Sequence, residues 1–395
     1  MQKTPYHSYK LNSLPKGCEY CVKGSKLVLF VTGLCPRSCI YCPISDKKYK
    51  KDVTYADEWP VKSISEIIEE ARLIGAEGAG FTGGDPLSKL DRTLLLIKNL
   101  KRTFGEKFHV HLYTSFDLVK ESTIKQLFDA GLDEIRFHPD LDDNKLWQKI
   151  ELVKKYAWDI GIEIPVIPGK EAQTKKMIDF FANKVKFINL NELEIADNKA
   201  SKLSEQGFKA KNGLSYAIKG SEELAKKLLT YIKSKYPKLN VHYCTATLKD
   251  KVQLANRIKR RAKNIAKPYD KITEDGTLVH GAVYLKGWQP SFGYKEKLSA
   301  LTERKRSNQV RILKRIKNRL QKDFAIKKEL IGVDQRKLRV LTSVKEIEKI
   351  RDDINKNLLS SVLKDKKLLK GKDLLLAIVE EYPTYDQIEL NVEFL

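Results

Sequence analysis

The sequence predicts an α/β protein: a partial (β/α)6, TIM-like barrel, followed by a basic, mostly helical segment and a small α+β domain. Two observations carry this. Between residues 27 and 190, short runs of Val, Ile, Leu and Phe alternate six times with stretches of helical apolar spacing. That is the pattern of a parallel sheet wrapped by helices, which right-handed crossovers curl into a full or partial barrel. Second, the residues of chemical interest fall just after the apolar runs, where such folds gather their ligands.

The elements follow in order. Residues 1–25 form a polar arm carrying Cys18-Glu19-Tyr20-Cys21. Leu27–Thr32 reads as the first buried strand, and a cysteine loop runs from it to about Pro60. Ser63–Ile74 predicts a helix with Ser63 or Ser65 as N-cap. Ala79–Thr82 is a strand that ends in Gly83-Gly84-Asp85-Pro86, and Leu87–Phe104 is helical. His109–Thr114 is a strand, Glu121–Ala130 a helix closed by Gly131, and Asp133–Phe137 a strand. Asp143–Trp158 predicts a helix, Glu163–Ile167 a strand ending in Pro168-Gly169, Ala172–Ala182 a helix, and Phe187–Leu190 the sixth strand. The pattern breaks from Glu194 to about Gly220, as an insertion over the barrel mouth would. Glu222–Tyr236 is a helix and Leu239–Thr245 a strand, which completes a barrel domain over 26–246. The segment 247–330 contains two basic helical stretches, Asp250–Ala266 and Lys295–Lys328, with Glu274-Asp275-Gly276-Thr277 as a hairpin turn. Arg336–Thr342, Val344–Asn355, Leu374–Glu380 and Gln387–Phe394 make up the α+β domain 331–395.

Composition narrows the class. Six cysteines in 395 residues are no disulfide framework, and C-x-x-C spacing in such a chain favours metal or redox chemistry. There is no signal peptide pattern and no apolar run near the roughly 20 residues that span a bilayer. The expected setting is a reduced cytoplasm, without a membrane partner. Net charge is +24, unevenly spread: residues 1–240 hold 40 basic and 31 acidic residues, residues 241–395 hold 35 and 20. Abundant Lys, Glu and Ile with only two Met is a composition associated with heat-loving organisms, which accounts for part of the charge.

Three thiols stand at C-x3-C-x2-C spacing in Cys35-Pro36-Arg37-Ser38-Cys39-Ile40-Tyr41-Cys42, directly after the first strand. Three soft ligands on one loop suit a metal cluster, and three thiolates on a four-iron cluster leave one iron open to a small chelating molecule. The pattern resembles the signature of the radical S-adenosylmethionine (SAM) superfamily, and over residues 27–245 it is most similar to archaeal proteins related to the pyruvate formate-lyase activating enzyme. The resemblance implies a barrel of radical SAM type and a [4Fe-4S] cluster on Cys35, Cys39 and Cys42. It also implies SAM on the open iron, and Tyr41 near the adenine. Gly83, Gly84, Asp85 and Pro86 match the family's Gly-Gly-Glu element, with Asp-Pro in place of Glu, and are expected to hold the SAM ammonium. Pro168 matches the element that backs the adenine.

Other cofactor contacts follow from position. Thr114 and Ser115 end the third strand with hydroxyls suited to the ribose or carboxylate of SAM. Arg136 and His138 end the fourth; a guanidinium fork suits a carboxylate, while a histidine there is as readily structural. Asn191 ends the sixth. Cys18, Cys21, His242 and Cys244 form a four-donor set suited to zinc or to a second iron–sulfur cluster. Sharing that site requires the N-terminal arm to fold across the barrel, or the late strand to run antiparallel; the alternative is a bare structural pair. Lys249–Lys267 holds eight basic residues against one acidic, and Lys295–Lys328 thirteen against three, with Trp288, Phe292 and Tyr294 between them. That mixture suits RNA, and equally a solvated helical face.

The expected activity is reductive cleavage of SAM, with electrons from a ferredoxin or flavodoxin type donor, to make a 5′-deoxyadenosyl radical that abstracts hydrogen from a macromolecule. RNA, as in tRNA modification, is favoured by charge. A glycyl radical on a partner protein is favoured by kinship. A non-enzymatic, zinc-dependent RNA-binding protein is the reading from another class.

Overall fold

The apolar runs of the first half become strands of a single sheet, and the stretches between them become the helices on its outside. In chain order these are β1 (Gln2–Lys3), β2 (Tyr9–Leu11), α1 (Lys16–Lys23), β3 (Lys26–Phe30), β4 (Tyr55–Ala56), β5 (Trp59–Pro60), α2 (Ile64–Leu73), β6 (Gly78–Thr82), α3 (Leu90–Phe104), β7 (His109–Thr114), α4 (Glu121–Asp129), β8 (Glu134–Phe137), α5 (Ile150–Val153), β9 (Asp159–Val166), α6 (Glu171–Phe181), β10 (Phe187–Glu192), α7 (Ser221–Lys235) and β11 (Asn240–Cys244). The computed structural model describes residues 1–355 and 373–395, which divide into two units, Met1–Arg257 and Ile258–Leu395.

The sheet of the first unit has the order β1-β2-β11-β10-β9-β8-β7-β6-β3-β4-β5. Seven neighbours, β3 and β6 to β11, run parallel. That is one more than the six expected: the seventh is the run predicted at Leu239–Thr245. The sheet stays open, because β4 occupies the free edge of β3 and β2 that of β11, both antiparallel. It is therefore a partial barrel, as expected. The N-terminal arm belongs to this unit through β2 and α1.

Ser63 caps α2 as expected, in a reciprocal capping box with Glu66. The helix expected over Asp143–Trp158 shrinks to the single turn α5. Asp140 Oδ1 accepts from the amides of Asp142 and Asp143, and the buried Trp147 donates Nε1 to Asp140 O at 2.9 Å. Such bonds to the backbone compete with helix formation.

The two faces of the parallel strands differ in kind. Alternate residues such as Leu27, Leu29, Phe81, Leu112, Ile135, Ile162, Ile188 and Val241 pack with Ile67, Ile97, Ile124, Met177 and Leu228 of the outer helices in one core. The residues between them are polar: Lys26 on β3, His111 and Tyr113 on β7, Glu134 and Arg136 on β8, Glu163 on β9, Asn189 and Asn191 on β10, His242 and Cys244 on β11. α1 covers this inner face. The Gly17 amide donates to Glu134 Oε2 at 3.2 Å, and a Cβ on Gly17 would stand 2.6 Å from Arg136 Nη2 and 2.7 Å from His111 Nδ1.

Arg136 is the centre of that face, which corrects the expectation that it points at the barrel mouth. It is 2% exposed. Nε bonds Glu134 Oε1 at 2.5 Å, and Nη1 bonds Glu163 Oε2 at 2.7 Å and Tyr113 OH at 3.2 Å. Its position on β8 sends the side chain inward, and two carboxylates take up its charge before a ligand can. Burial works to raise the Glu163 carboxyl, but Arg136 and donors from Asn191 and Asn189 hold it at about 2. On the same face Lys26 Nζ meets His111 Nε2 at 3.2 Å.

After β11 come α8 (Ala246–Leu248) and α9 (Ala255–Ile265); the second unit then contains β12 (Lys271–Ile272), β13 (Leu278–Leu285), α10 (Tyr294–Ser299), α11 (Glu303–Asp323), β14 (Ile331–Asp334), β15 (Arg339–Thr342), α12 (Val344–Asn355), β16 (Leu374–Glu381) and β17 (Glu389–Phe394). Its sheet is antiparallel, in the order β14-β15-β13-β16-β17, with β12 also on β13 across the turn expected at 274–277. Residues 258–330 lie in this unit. They supply the central strand β13, and α11 packs Val310, Leu313, Ile316 and Leu320 with Val283, Val340 and Ile347 in one core. No helix of the described residues is long and apolar enough to cross a membrane.

Replacing Arg136 by Ala leaves Glu134 and Glu163 buried with no cation between them. The expected cost is about 3–5 kcal/mol, read as a lowered urea midpoint at pH 7. A loss below about 1 kcal/mol would show that the pair is solvated and not central.

Candidate functional site

The cysteine loop leaves the carboxyl end of β3 and closes on itself at its base. Gly33 N donates to Lys51 O at 2.8 Å and Lys50 N to Gly33 O at 3.0 Å. The end of β6 lies directly against it: Gly84 N donates to Thr32 O at 2.7 Å and Asp85 N to Leu34 O at 2.8 Å. This approach is what the Gly83-Gly84 pair serves, since a Cβ on Gly84 would stand 2.3 Å from Leu34 O.

Cys35, Cys39 and Cys42 are free and half-buried. Cys42 N donates to Cys39 O at 3.1 Å in a turn, and Arg37 N points at Cys35 Sγ at 3.4 Å. Burial pushes the Cys35 thiol up to about 11 and raises Cys42 as well. Without a metal both hold their protons at neutral pH, so a metal must displace them.

Two side chains tie the loop to later strands. Arg37 donates to His138 O at 2.8 Å and to Asp140 Oδ2 at 2.7 Å. Tyr41 OH meets His138 Nε2 at 2.8 Å, and His138 Nδ1 meets the Glu163 carbonyl at 2.9 Å. A carbonyl only accepts, so Nδ1 carries the proton and Nε2 accepts from Tyr41. Burial, then the Arg37 charge, lowers His138 to about 4, so the ring is neutral at physiological pH. The insertion at 194–220 reaches the loop as expected: Lys202 N donates to Ile40 O at 2.7 Å, Asn198 Nδ2 to Cys42 O at 3.1 Å, and Lys199 N to Asp46 Oδ1 at 3.0 Å.

The polar side chains expected to hold a cofactor mostly hold one another. Asp85 accepts from Thr114 Oγ1 at 2.8 and 3.0 Å, from Ser115 N at 3.0 Å and Oγ at 2.9 Å, and from Leu87 N at 3.0 Å. All three are buried. Burial still raises the Asp85 carboxyl above its ordinary range. These bonds clamp the end of β6 to the end of β7, so the expectation that the side chains of Asp85, Thr114 and Ser115 face a ligand is corrected. Pro86 is buried, and its carbonyl accepts from Thr93 at 2.8 Å. Asn191 donates to Glu163 Oε1 at 3.0 Å. Pro168 ends β9 beside Gly220 of the insertion. What gathers at the strand ends is the cysteine loop, Tyr41, His138 and the Gly83-Gly84 backbone.

Residues 29–181 match the model of the Radical SAM superfamily. A protein of Methanocaldococcus jannaschii, provisionally named a glycyl-radical enzyme activating enzyme, is 45% identical over 285 residues, 70% of this chain and 75% of its own. The chain belongs to the radical SAM superfamily. Biotin synthase of Chromobacterium violaceum is 31% identical over 130 residues, which are 31% of this chain and 37% of that enzyme. The solved structure of Streptococcus suis SuiB bound to precursor peptide SuiA has 16% identity and a TM-score of 0.40, over 60% of this chain and 56% of that one. Membership makes the chain an enzyme, with a [4Fe-4S] cluster and SAM as cofactors. It sets aside the non-enzymatic, zinc-dependent reading.

The residues present fit the cluster by donor chemistry: three soft thiols on one loop, within seven residues of one another in sequence. Among the described residues no set of three or more His, Cys, Asp and Glu side chains stands ready in metal-holding geometry. Sequence reasoning passed over Arg37, Glu134, Glu163 and Lys26. The alternation His-Val-His-Leu-Tyr, Glu-Ile-Arg-Phe and Asn-Leu-Asn-Glu was the available signal for a polar inner face.

A histidine whose folded pKa lies below the unfolded value stabilises the fold above about pH 6.5, and that contribution is lost as pH falls toward 4. His138 and His242 are both lowered to about 4, His242 chiefly by burial. The urea midpoint is therefore expected to fall between pH 6.5 and 4, and His138→Gln should make that fall shallower. An unchanged slope in the variant would show that His138 is charged in the folded protein.

Proposed function

We propose that this enzyme cleaves SAM reductively at Cys35, Cys39 and Cys42 and abstracts a hydrogen atom from a glycine of a partner protein. The observation that carries the reaction is the closed loop presenting three thiols, and no fourth, at the strand ends of a radical SAM barrel. The substrate class rests on the 45% identical relative that is named as an activating enzyme. Bound there, the cluster and SAM supply a 5′-deoxyadenosyl radical and methionine, the electron coming from a ferredoxin or flavodoxin type donor. The glycine Cα–H bond then breaks, leaving 5′-deoxyadenosine and a glycyl radical.

The chain's own residues position and exclude. Tyr41, held by a neutral His138, presents its ring beside the last thiol, where an adenine packs. The Gly83-Gly84 backbone, free of side chains, comes close enough to accept from an ammonium group. Pro168, beside Gly220, matches the element that backs the adenine in this family. The 194–220 insertion, hydrogen-bonded to Ile40 and Cys42, shields the loop from water. The oxygen-labile chemistry suits a reducing cytoplasm.

Cys39→Ala is expected to abolish 5′-deoxyadenosine formation under anaerobic reducing conditions, by more than about 1000-fold, measured by chromatography of the product. Turnover that persists in this variant sinks the assignment. A glycyl radical signal on the partner protein after incubation with wild type supports the substrate class.

A second reading, RNA as the substrate, is favoured by α11. Its apolar side is packed, while Arg304, Lys305, Arg311, Lys314, Arg315 and Lys322 are exposed along the rest. On this reading RNA affinity falls steeply with salt, and exchanging Arg311, Lys314 and Arg315 for Gln flattens the slope by about three. A salt-independent or absent RNA affinity removes it.

A further inference from the structure

The second unit has a groove lined by cations. It lies along α11 and has a volume of about 370 Å³, within the roughly 300–1,000 Å³ of small-molecule sites. Arg306, Ser307, Val310, Arg311 and Lys314 of α11 line it, together with Gln335 of the turn between β14 and β15. Spacings of three and four put the helix residues on one side of α11. No carboxylate lines the groove, and among the described residues none pairs with its three cations.

Arg306 is nevertheless fixed. Its Nη1 donates to Gln335 O at 3.1 Å and to Arg336 O at 2.9 Å, and its Nη2 to Leu298 O at 2.6 Å. Carbonyls hold the guanidinium in place without cancelling its charge. Arg311 Nη2 donates to Asn308 Oδ1 at 2.6 Å, again a neutral partner. Arg311 and Lys314 stand one turn apart, and like charges so placed destabilise a helix. An anion seated between them reverses that cost. The same turn leads to an aromatic. Arg336, next to Gln335, donates Nη1 to Tyr385 O at 2.5 Å, and its guanidinium stands 5.1 Å from the centre of the Tyr385 ring. Tyr385 is 42% exposed. Aromatic rings and guanidinium planes are the surfaces on which nucleobases stack. A solvated helix face, the ordinary reading of a charge run, needs no groove, no guanidinium held by three carbonyls and no aromatic beyond its wall.

We propose that this groove binds a nucleotide, its phosphate against Arg311 and Lys314 with Arg306 as the fixed cation, and its base on Tyr385 and Arg336. A guanidinium fork matches phosphate oxygens, while Ser307 and Gln335 add neutral donors. The ligand is a free nucleotide or one residue of an RNA strand, which share this chemistry. The inference goes beyond the RNA reading, which rests on exposed charge along α11 and would hold for any face that attracts polyanions. It is independent of which substrate gives up hydrogen.

The test uses the full chain without reductant, SAM or donor, so that SAM cleavage plays no part in it. Uridine diphosphate carrying a fluorophore on the ribose is titrated by anisotropy; a pyrimidine keeps an adenosine site out of the count. A labelled single-stranded oligouridine is the second arm. One saturable site is expected. Arg311→Gln with Lys314→Gln should weaken it more than about tenfold. Tyr385→Leu should weaken it about fivefold or more, and Tyr385→Phe should restore it. Lys345→Gln with Lys349→Gln, which removes the same charge from α12, should leave uridine diphosphate binding unchanged, and the Tm of each variant shows that it is folded. Saturation by uridine diphosphate supports the proposal with a free nucleotide as ligand. Saturation by the oligouridine alone, with the same pattern of variants, supports it with an RNA strand. The proposal is overturned if neither saturates, or if the α12 pair costs as much as the groove pair. It is overturned too if inorganic phosphate competes as well as uridine diphosphate, which would mean a bare anion site.

Discussion

A single buried guanidinium, held between carboxylates from two strands, sets most of what this barrel can do. Arg136 binds Glu134 at 2.5 Å and Glu163 at 2.7 Å. Glu163 uses its side chain on Arg136 and its carbonyl on His138, and His138 in turn holds Tyr41 inside the cysteine loop. The loop therefore takes its position from β8 and β9 as much as from the strand it leaves. Its other anchor, Arg37, also ends on the chain just after β8.

A polar inner face has a cost. Apolar side chains of similar volume usually serve stability as well as, or better than, buried ion pairs. What the ionic face supplies is direction: each carboxylate oxygen here has a named donor, so β8, β9 and β10 have one register in which the charges are satisfied. The same face needs a cover that is itself polar or small, which accounts for α1 presenting Gly17 and Cys18 to it. An arm of leucines would leave Glu134 and Arg136 without the Gly17 amide and the space they use.

Much of this was legible in the sequence, at the level where one period dominates. The βα alternation predicts the strands and their order, because parallel neighbours need crossovers long enough to be helices. The cysteine spacing and the Gly-Gly pair are placed together because both follow strand ends. What was not legible are pairings between strands. Nothing local in Glu-Ile-Arg-Phe says that Arg136 looks inward, since a one-residue difference in where the strand begins reverses its face. Asp85, Thr114 and Ser115 likewise read as ligand groups singly, and only the approach of β6 to β7 shows that they satisfy each other. The helix over 143–158 failed because two side-chain bonds to Asp140 outweighed apolar spacing. In the basic stretch charge describes only the exposed side, while β13 and the packed side of α11 lie in a core.

The two thiol sets of this chain are opposite solutions to holding sulfur in one barrel. In the loop at 35–42 the thiols are half-exposed and three in number, Arg37 is the nearest guanidinium, and the backbone base is pinned by Gly33 and Gly84. Three thiols on a four-iron cluster would leave one position unfilled. On the inner face the thiols come from two elements far apart in sequence, α1 and β11, among polar side chains that already pair with one another. Glu163 touches both regions: Asn189 donates at once to it and to Cys18, and its carbonyl supports His138 and Tyr41. A change at Cys18 or Asn189 thus acts on the loop through one strand, β9.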